Sequence, residues 1–394
     1  MTGSDRAGWR APSSPPTASA GSCSMDSADE LLLIPGPVSI DDEILEVLGR
    51  PVMAHYGDAW TELYHRTVAN MQTVFRTRNE VHLVFGPGQA AIEMAIASVL
   101  APGDKLIAPS NGLFGDRLHM VANAHGIEAV RITPPPREAV SVESVREALD
   151  QHPDARAVAI VHHETSMGVM NPVREIAELA RERGALTIVD AVSSAGGTDL
   201  DVDGWEIDLC VTTGNKCLAG PIGVAPIAIG PRAIAANEDG RPKTAGWYLD
   251  FATWRQHAEM WKTWHPHPTT MPTNVIRALD VSVRRVLEVG LDEHIRRQRA
   301  ARDTVREGLR EMGFEMMVPD EVASPVTTAA LGLRGMDVHD YMRWLLDEHD
   351  LRIGGGLGPW ADSAFRVGHM GRAKEPEVVD RYLALTQEYI QSRT

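Results

Sequence analysis

Three cysteines, Cys23, Cys210 and Cys217, are all that the 394 residues carry. They are too few and too unevenly spaced for a disulfide framework or a cysteine-based zinc site. No apolar run approaches the roughly 20 residues that a membrane helix needs. Basic charge is also short: 38 Lys and Arg against 54 Asp and Glu leave a formal net charge of −16. That balance argues against nucleic acid or an anionic membrane as the main partner, because both need a basic face. Residues 1–28 lack periodicity and lack the apolar core of a signal peptide. Rich in Ser, Ala, Pro and Gly, they read as a disordered tail, with Met25 as a second candidate start. Scarce cysteine and no export signal point to a cytoplasmic protein.

The rest is ordinary globular material, 43% hydrophobic and 23% charged, and long enough for two domains. Short apolar strands are expected at 81–85, 105–108, 127–132, 157–162, 186–189, 209–212 and 223–229. Helical periodicity lies between them at 89–100, 117–125, 141–151 and 173–183. Such alternation predicts an α/β fold with a mostly parallel sheet covered on both faces. From about residue 278 a long charged amphipathic stretch runs to 312. Short strands near 314–318 and 326–333, a helix at 338–349, strands near 351 and 365 and a closing helix over 376–392 follow. The expected division is a large domain with its N-terminal segment over 29–277 and a smaller α+β domain over 278–394.

In open α/β sheets the chemistry gathers at the carboxyl ends of the strands. There this sequence places Gly86-Pro-Gly-Gln89, His163-Glu-Thr165, Asp190-Ala-Val-Ser193 and Asn215-Lys216. One amine, one carboxylate, hydroxyls and a glycine turn at a helix start therefore converge. Pyridoxal phosphate needs that set: an amine to hold its aldehyde as a Schiff base, a carboxylate for its pyridine nitrogen, and a helix N-terminus for its phosphate. Each residue alone has a plainer reading. Lys216 could snorkel to the surface, Asp190 could cap a helix, Phe114 could be core, and Arg366 could serve a surface ion pair.

The chain resembles the class V aminotransferases among the fold-type I pyridoxal-phosphate enzymes, on the alanine/serine–glyoxylate (pyruvate) branch and close to pyridoxamine–pyruvate transaminases. The resemblance spans roughly 30–390. It is carried by Leu32-Leu-Ile-Pro-Gly-Pro37, Gly86-Pro-Gly-Gln-Ala-Ala-Ile-Glu93, Asn111-Gly-Leu-Phe-Gly115, His162-His-Glu-Thr-Ser-Met-Gly168, Val189-Asp-Ala-Val-Ser-Ser194, Gly214-Asn-Lys-Cys217 and Phe365-Arg-Val-Gly-His-Met-Gly371. It implies Lys216 as the Schiff-base lysine and proton carrier, and Asp190 as the partner of the ring nitrogen. Phe114 would stack on the ring and Thr165 lie near its hydroxyl. Gly88, Gln89 and Asn215 would hold the phosphate. Arg366 would clamp the substrate carboxylate, with Gly36 approaching the substrate through its backbone. Thr270 and His267 would reach the phosphate of a neighbouring subunit, implying a homodimer.

Two departures stand out. Pro87-Gly88-Gln89 replaces the Ser-Gly-His of many glyoxylate enzymes, and Leu357 stands where the pyridoxamine–pyruvate enzyme has a second arginine. The implied activity moves an amino group from a small alanine- or serine-like amino acid to a small 2-oxo acid such as glyoxylate or pyruvate. The alternatives are a pyridoxamine–pyruvate transaminase, a lyase or desulfurase on the same scaffold, and a binding protein without catalysis. Cys217 sits beside the lysine rather than on a mobile loop, and residues 218–394 hold no further cysteine, which disfavours desulfuration. His265 and His267, separated by Pro266, lack a completing ligand, so no metal is expected. On a strand, His162 and His163 must face opposite sides.

Overall fold

A computed structural model describes residues 30–393, so the expected tail, with Cys23 and Met25, lies outside the described residues. The principal sheet has seven strands, in the spatial order Glu80–Phe85, Val224–Ile229, Leu209–Val211, Leu186–Asp190, Ala155–Val161, Lys105–Pro109 and Glu128–Ile132. Only Val224–Ile229 runs against the others, pairing antiparallel with both neighbours. The remaining pairings are parallel. Leu186–Asp190, Leu209–Val211 and Val224–Ile229 are buried along their whole length. Continuous runs of Val, Ile and Leu suit strands covered on both faces, and here helices cover them.

A second, five-stranded sheet is ordered Leu31–Leu33, Leu351–Gly355, Ala364–Gly368, Thr327–Leu331 and Glu315–Met316. Its edge strand comes from the N-terminal segment: Leu31–Leu33 pairs parallel with Leu351–Ile353. The segment from Leu31 therefore lies against the C-terminal half and then crosses at Pro35-Gly-Pro37 to the large sheet. This crossing brings the backbone of Pro35 to Lys216. The amphipathic stretch expected to run on to 312 is two helices, Thr273–Val289 and Leu291–Glu311. Gly290, at φ +91°, breaks it, since that backbone geometry is outside the helical range and favours glycine.

Separate hydrophobic clusters fill the large sheet and the small one. Trp60, Trp254 and Phe75 are fully buried in the first, and Tyr341, Phe365 and Tyr382 in the second. Arg366 projects from the small sheet toward the carboxyl edge of the large one, so the site lies where the two cores meet.

Candidate active site

Lys216 lies in the turn that follows the strand Leu209–Val211. The turn is pinned on several sides. Gly220 N–H donates to Gly214 at 2.8 Å, Ala219 N–H to Lys216 at 2.9 Å, and the Thr213 hydroxyl to Asn215 Oδ1 at 2.8 Å. Behind it, the Cys217 carbonyl meets the His294 ring at 3.1 Å. A lysine on so fixed a backbone has only its own torsions to move. Its Nζ donates to the carbonyl of Pro35. Next to that carbonyl is Gly36, at φ +100°, where an added Cβ would lie 2.4 Å from Lys216 Cδ and 2.5 Å from Nζ. That φ favours glycine, and a Cβ there would push the tip of the lysine aside.

No carboxylate pairs with Lys216 among the described residues, whereas Lys105, Lys243 and Lys374 each have one. Burial lowers its amine to about 8; Cys217 and Asp190 pull the value up, while Arg366 and Arg117 push it down. Burial holds Cys217 as a neutral thiol, raised to about 12, so Asp190 is the anion that acts on the amine near pH 7. A protonated, fully buried Cys217 whose Sγ–H points to Ser193 O at 3.5 Å is poorly suited to nucleophilic attack on sulfur.

Asp190 is the last residue of its strand and 8% exposed. The one hydrogen-bond partner of its carboxyl among the described residues is the Val192 N–H, 2.9 Å from Oδ1. Burial raises its carboxyl to about 6, with Val192 N–H, Lys216 and Arg117 opposing the rise. A buried acid with one donor is a site for a cation or an N–H yet to come.

Two helix starts frame this acid, and they differ. The helix Leu113–Ala124 is closed by Glu164, whose Oε2 accepts from Phe114 N–H at 3.1 Å and Gly115 N–H at 3.0 Å. Its Oε1 takes Ser166 N–H at 3.1 Å and the Ser166 hydroxyl. The helix Gly88–Val99 has no side-chain cap and begins at the buried Gly88 and half-buried Gln89. A Cβ on Gly88 would lie 2.7 Å from Val192 Cγ2, so this turn packs directly on the loop after Asp190. An uncapped helix N-terminus is an anion site when an anion is at hand. The Asn215 oxygen is already taken by Thr213, so its amide N–H groups are the donors it can offer.

Arg366 is held by carbonyls alone: Nε donates to Gly355 O at 2.8 Å and Nη1 to Thr165 O at 3.2 Å. Burial lowers its guanidinium to about 10, offset by Glu164. No carboxylate pairs with it among the described residues, so its remaining donors can take one from a ligand. Phe114 is half-buried, and Arg117, one helical turn on, rests its guanidinium 4.8 Å from the ring centroid.

The structure thus gathers Lys216, Asp190, Gly36, Gly88, Gln89, Phe114, Thr165, Asn215 and Arg366 around one edge. Thr270 is exposed. His267 turns inward. Its Nε2 accepts from Trp60 Nε1–H at 2.9 Å and its Nδ1 faces Thr269 O at 2.6 Å. Both nitrogens are used within the chain and burial lowers the ring to about 3, so His267, as placed, offers no donor to a neighbouring phosphate. Three participants escaped the sequence reading. Glu164 and Arg117 leave a trace in it, as an acid beside Thr165 and a cation at i+3 from Phe114. The Pro35 carbonyl leaves none.

The family model for class-V aminotransferases matches residues 43–359. An uncharacterized aminotransferase of Methanocaldococcus jannaschii is 35% identical over 90% of this chain and 91% of its own. The pyridoxamine–pyruvate transaminase of Mesorhizobium japonicum is 30% identical over 89% of each chain. The crystal structure of an alanine–glyoxylate aminotransferase from Nostoc superposes with a TM-score of 0.87 at 30% identity, covering 99% of this chain and 100% of that one. Pyridoxal phosphate, the cofactor this family implies, fits the residues present: an unpaired buried amine, a singly bonded buried acid and an open helix N-terminus. The chain belongs to the class-V aminotransferase family of pyridoxal-phosphate enzymes.

Proposed function

We propose that the protein transfers the amino group of a small amino acid to a small 2-oxo acid, alanine and glyoxylate giving pyruvate and glycine. The observation that carries this reading is Lys216, a buried amine without a carboxylate, set between Asp190 and Arg366. When bound, pyridoxal phosphate supplies an aldehyde for the lysine to hold and a ring that draws electrons from the substrate's α-carbon. Asp190 would hold a proton at the ring nitrogen, Gly88, Gln89 and Asn215 would donate to the phosphate, and Phe114 and Thr165 would line the ring. Arg366 binds the substrate carboxylate and so sets which α-substituent faces Lys216. The neutral amine of Lys216 would be the base that holds and moves the substrate's α-proton. Supplied with alanine and glyoxylate, the cofactor-loaded protein should produce pyruvate and glycine in equal amounts. Similarity to pyridoxamine–pyruvate transaminase supports a second reading. Turnover of free pyridoxamine with pyruvate, and none with alanine and glyoxylate, would select it.

The pH dependence follows from the lysine. Only the neutral amine attacks an aldehyde, and burial brings it to neutrality near pH 8 instead of 10.5. Capture of added pyridoxal phosphate by cofactor-free protein should accelerate with rising pH, with a midpoint near 8 in stopped-flow absorbance. Arg366→Leu removes a like charge and should move that midpoint upward.

The reading includes a homodimer. Tyr56, Phe85, Ile222, Trp247, Met260 and Trp264 are large apolar side chains left exposed. Ring contacts run from Tyr56 through Trp264, Trp261 and His257 to Trp247. Hydrogen bonding of Tyr248 to the Phe85 carbonyl at 2.6 Å ties that run to the sheet edge beside the Gly86 turn. A band of this kind on a soluble chain suits burial against a second copy. Sedimentation should give a dimer, and a Trp264→Asp, Trp247→Asp double variant should shift it toward monomer and loosen the cofactor. A wild-type monomer at micromolar concentration would refute this part.

A further inference from the structure

A cavity of about 350 Å³ lies against the turn that carries Lys216, with Leu218 and Ala219 in its wall. None of the residues gathered around the lysine amine lines it. The helix Thr273–Val289 supplies Ser282, Val286 and Val289, and the segment after Gly371 supplies Lys374 and Glu375. The cavity opens to solvent beside Arg285, Val289 and Arg372, all of them exposed. Its wall is the tightly held end of the lysine turn. Ala219 has a φ of +51°, in the left-handed region that non-glycine residues rarely enter, and a Cβ on Gly220 would lie 2.5 Å from Ser282 Oγ.

Three cations face this space with donors to spare. The Lys374 side chain is only 11% exposed, and its Nζ donates to the Gly371 carbonyl at 2.8 Å. Its carboxylate, Glu375, stands off at 3.6 Å, longer than a hydrogen bond. Arg297 spends Nε on Glu293 at 2.9 Å, and both its Nη groups lack a partner among the described residues. The Arg372 guanidinium has neither a hydrogen bond nor an ion pair among them. Burial, Lys374 and Arg297 hold the buried His294 between them at about 4, so it adds no charge near pH 7. Of the other carboxylates in the lining, Asp41 is taken by Arg285 at 2.8 Å and Glu377 is exposed. Ile44, Leu218, Val286 and Val289 give the cavity an apolar surface beside these donors. Spare N–H groups on cations next to apolar side chains complement an anion that carries a hydrocarbon body.

We propose that this cavity is a second binding site, separate from the catalytic one, for a small organic carboxylate with an apolar body. The carboxylate meets Lys374 and Arg297, and the hydrocarbon part covers Leu218 and Val286. Its occupant touches the lysine turn and the segment 371–375 together, so it is placed as an effector and not as a substrate.

The probe is 4-methylpentanoate, which has no amino or oxo group to react, and the readout is calorimetric binding to the cofactor-loaded protein. Arg366→Leu removes the catalytic carboxylate clamp, and binding should persist in that variant. Lys374→Met on the same background should weaken it by about tenfold or more, the size of one charge-assisted hydrogen bond. Val289→Glu, at an exposed position on the mouth, should weaken it as well and decides the matter if Lys374→Met does not melt cooperatively. Inorganic phosphate, which lacks the apolar body, and 3-methylbutylamine, which carries the opposite charge, should both bind at least tenfold more weakly than the probe. Absence of binding in Arg366→Leu overturns the proposal, because the catalytic clamp then accounts for all of it. So does undiminished binding in folded Lys374→Met or in Val289→Glu. Equal binding of phosphate or of the amine overturns the assigned ligand class.

Discussion

Lys216→Ala should lower amino transfer by on the order of 10⁴-fold or more and abolish the visible absorbance of lysine-held cofactor. The loss is large because one side chain serves twice, as the holder of the aldehyde and as the carrier of the α-proton. No other amine can stand in. Lys105, Lys243 and Lys374 are tied to carboxylates, and Lys262 is exposed beyond the site. Misfolding would not explain the loss, because the substitution should not weaken the cofactor-free fold. The folded amine is lowered to about 8 from 10.5, so below pH 8 its protonated form is a full cost to the folded state. Between pH 8 and 10.5 the unfolded chain binds more proton than the folded one, so wild-type stability rises with pH there and the cost fades. Cofactor-free Lys216→Ala should therefore melt above wild type at pH 7, and the gap should close toward pH 10.5. Thermal melts at both pH values, beside the assay, read this directly.

Asp190→Asn should also be damaging, with kcat falling by about 10²–10³-fold and KM for the amino acid changing far less. The amide oxygen can still accept from Val192 N–H, so the local geometry survives and the charge alone is lost. Removing one charge of a buried pair typically costs about 3–5 kcal/mol, which sets that range. Here too stability crosses with loading. Burial raises this carboxyl to about 6 from 3.8. Between those values the folded state binds more proton than the unfolded one, so stability falls as pH rises, and at pH 7 the full cost of the charge is present. Without cofactor, Asp190→Asn should melt above wild type. With cofactor, the cationic ring partner repays the charge and the order should reverse. Melts of both proteins in both states would show whether the acid is placed for a cation.

What the sequence disclosed followed from short-range physics. Fully buried parallel strands read as apolar runs, so Leu186–Asp190 and Leu209–Val211 could be placed to within a residue or two. The carboxyl-edge rule then put Asp190, Lys216 and the Gly88 turn side by side without coordinates. Long-range pairing was not legible. Nothing in three leucines says that Leu31–Leu33 pairs with Leu351–Ile353, or that the crossing presents the Pro35 carbonyl to Lys216. Gly290 was in plain view, but a single glycine within a charged amphipathic stretch is tolerated often enough that a helix break there was not expected. Loop residues fared worst. His267 lies in a segment without periodicity, and its burial depends on Trp60, 207 positions away. The His163 ring meets Ser193 O, likewise supplied by the next strand–loop junction, 30 residues on. Side chains at strand ends declare themselves; the carbonyls and rings that set their protonation come from elsewhere in the chain.

The central claim is that Lys216 is the amine that holds the cofactor, and the chain makes it unusually easy to test. It contains only five lysines, Lys105, Lys216, Lys243, Lys262 and Lys374. Borohydride treatment of the cofactor-loaded protein, followed by peptide mass mapping, should place one stable cofactor adduct on the peptide bearing Lys216 and none on the other four. An adduct on a different lysine, or a loaded protein that yields no adduct, would contradict the account.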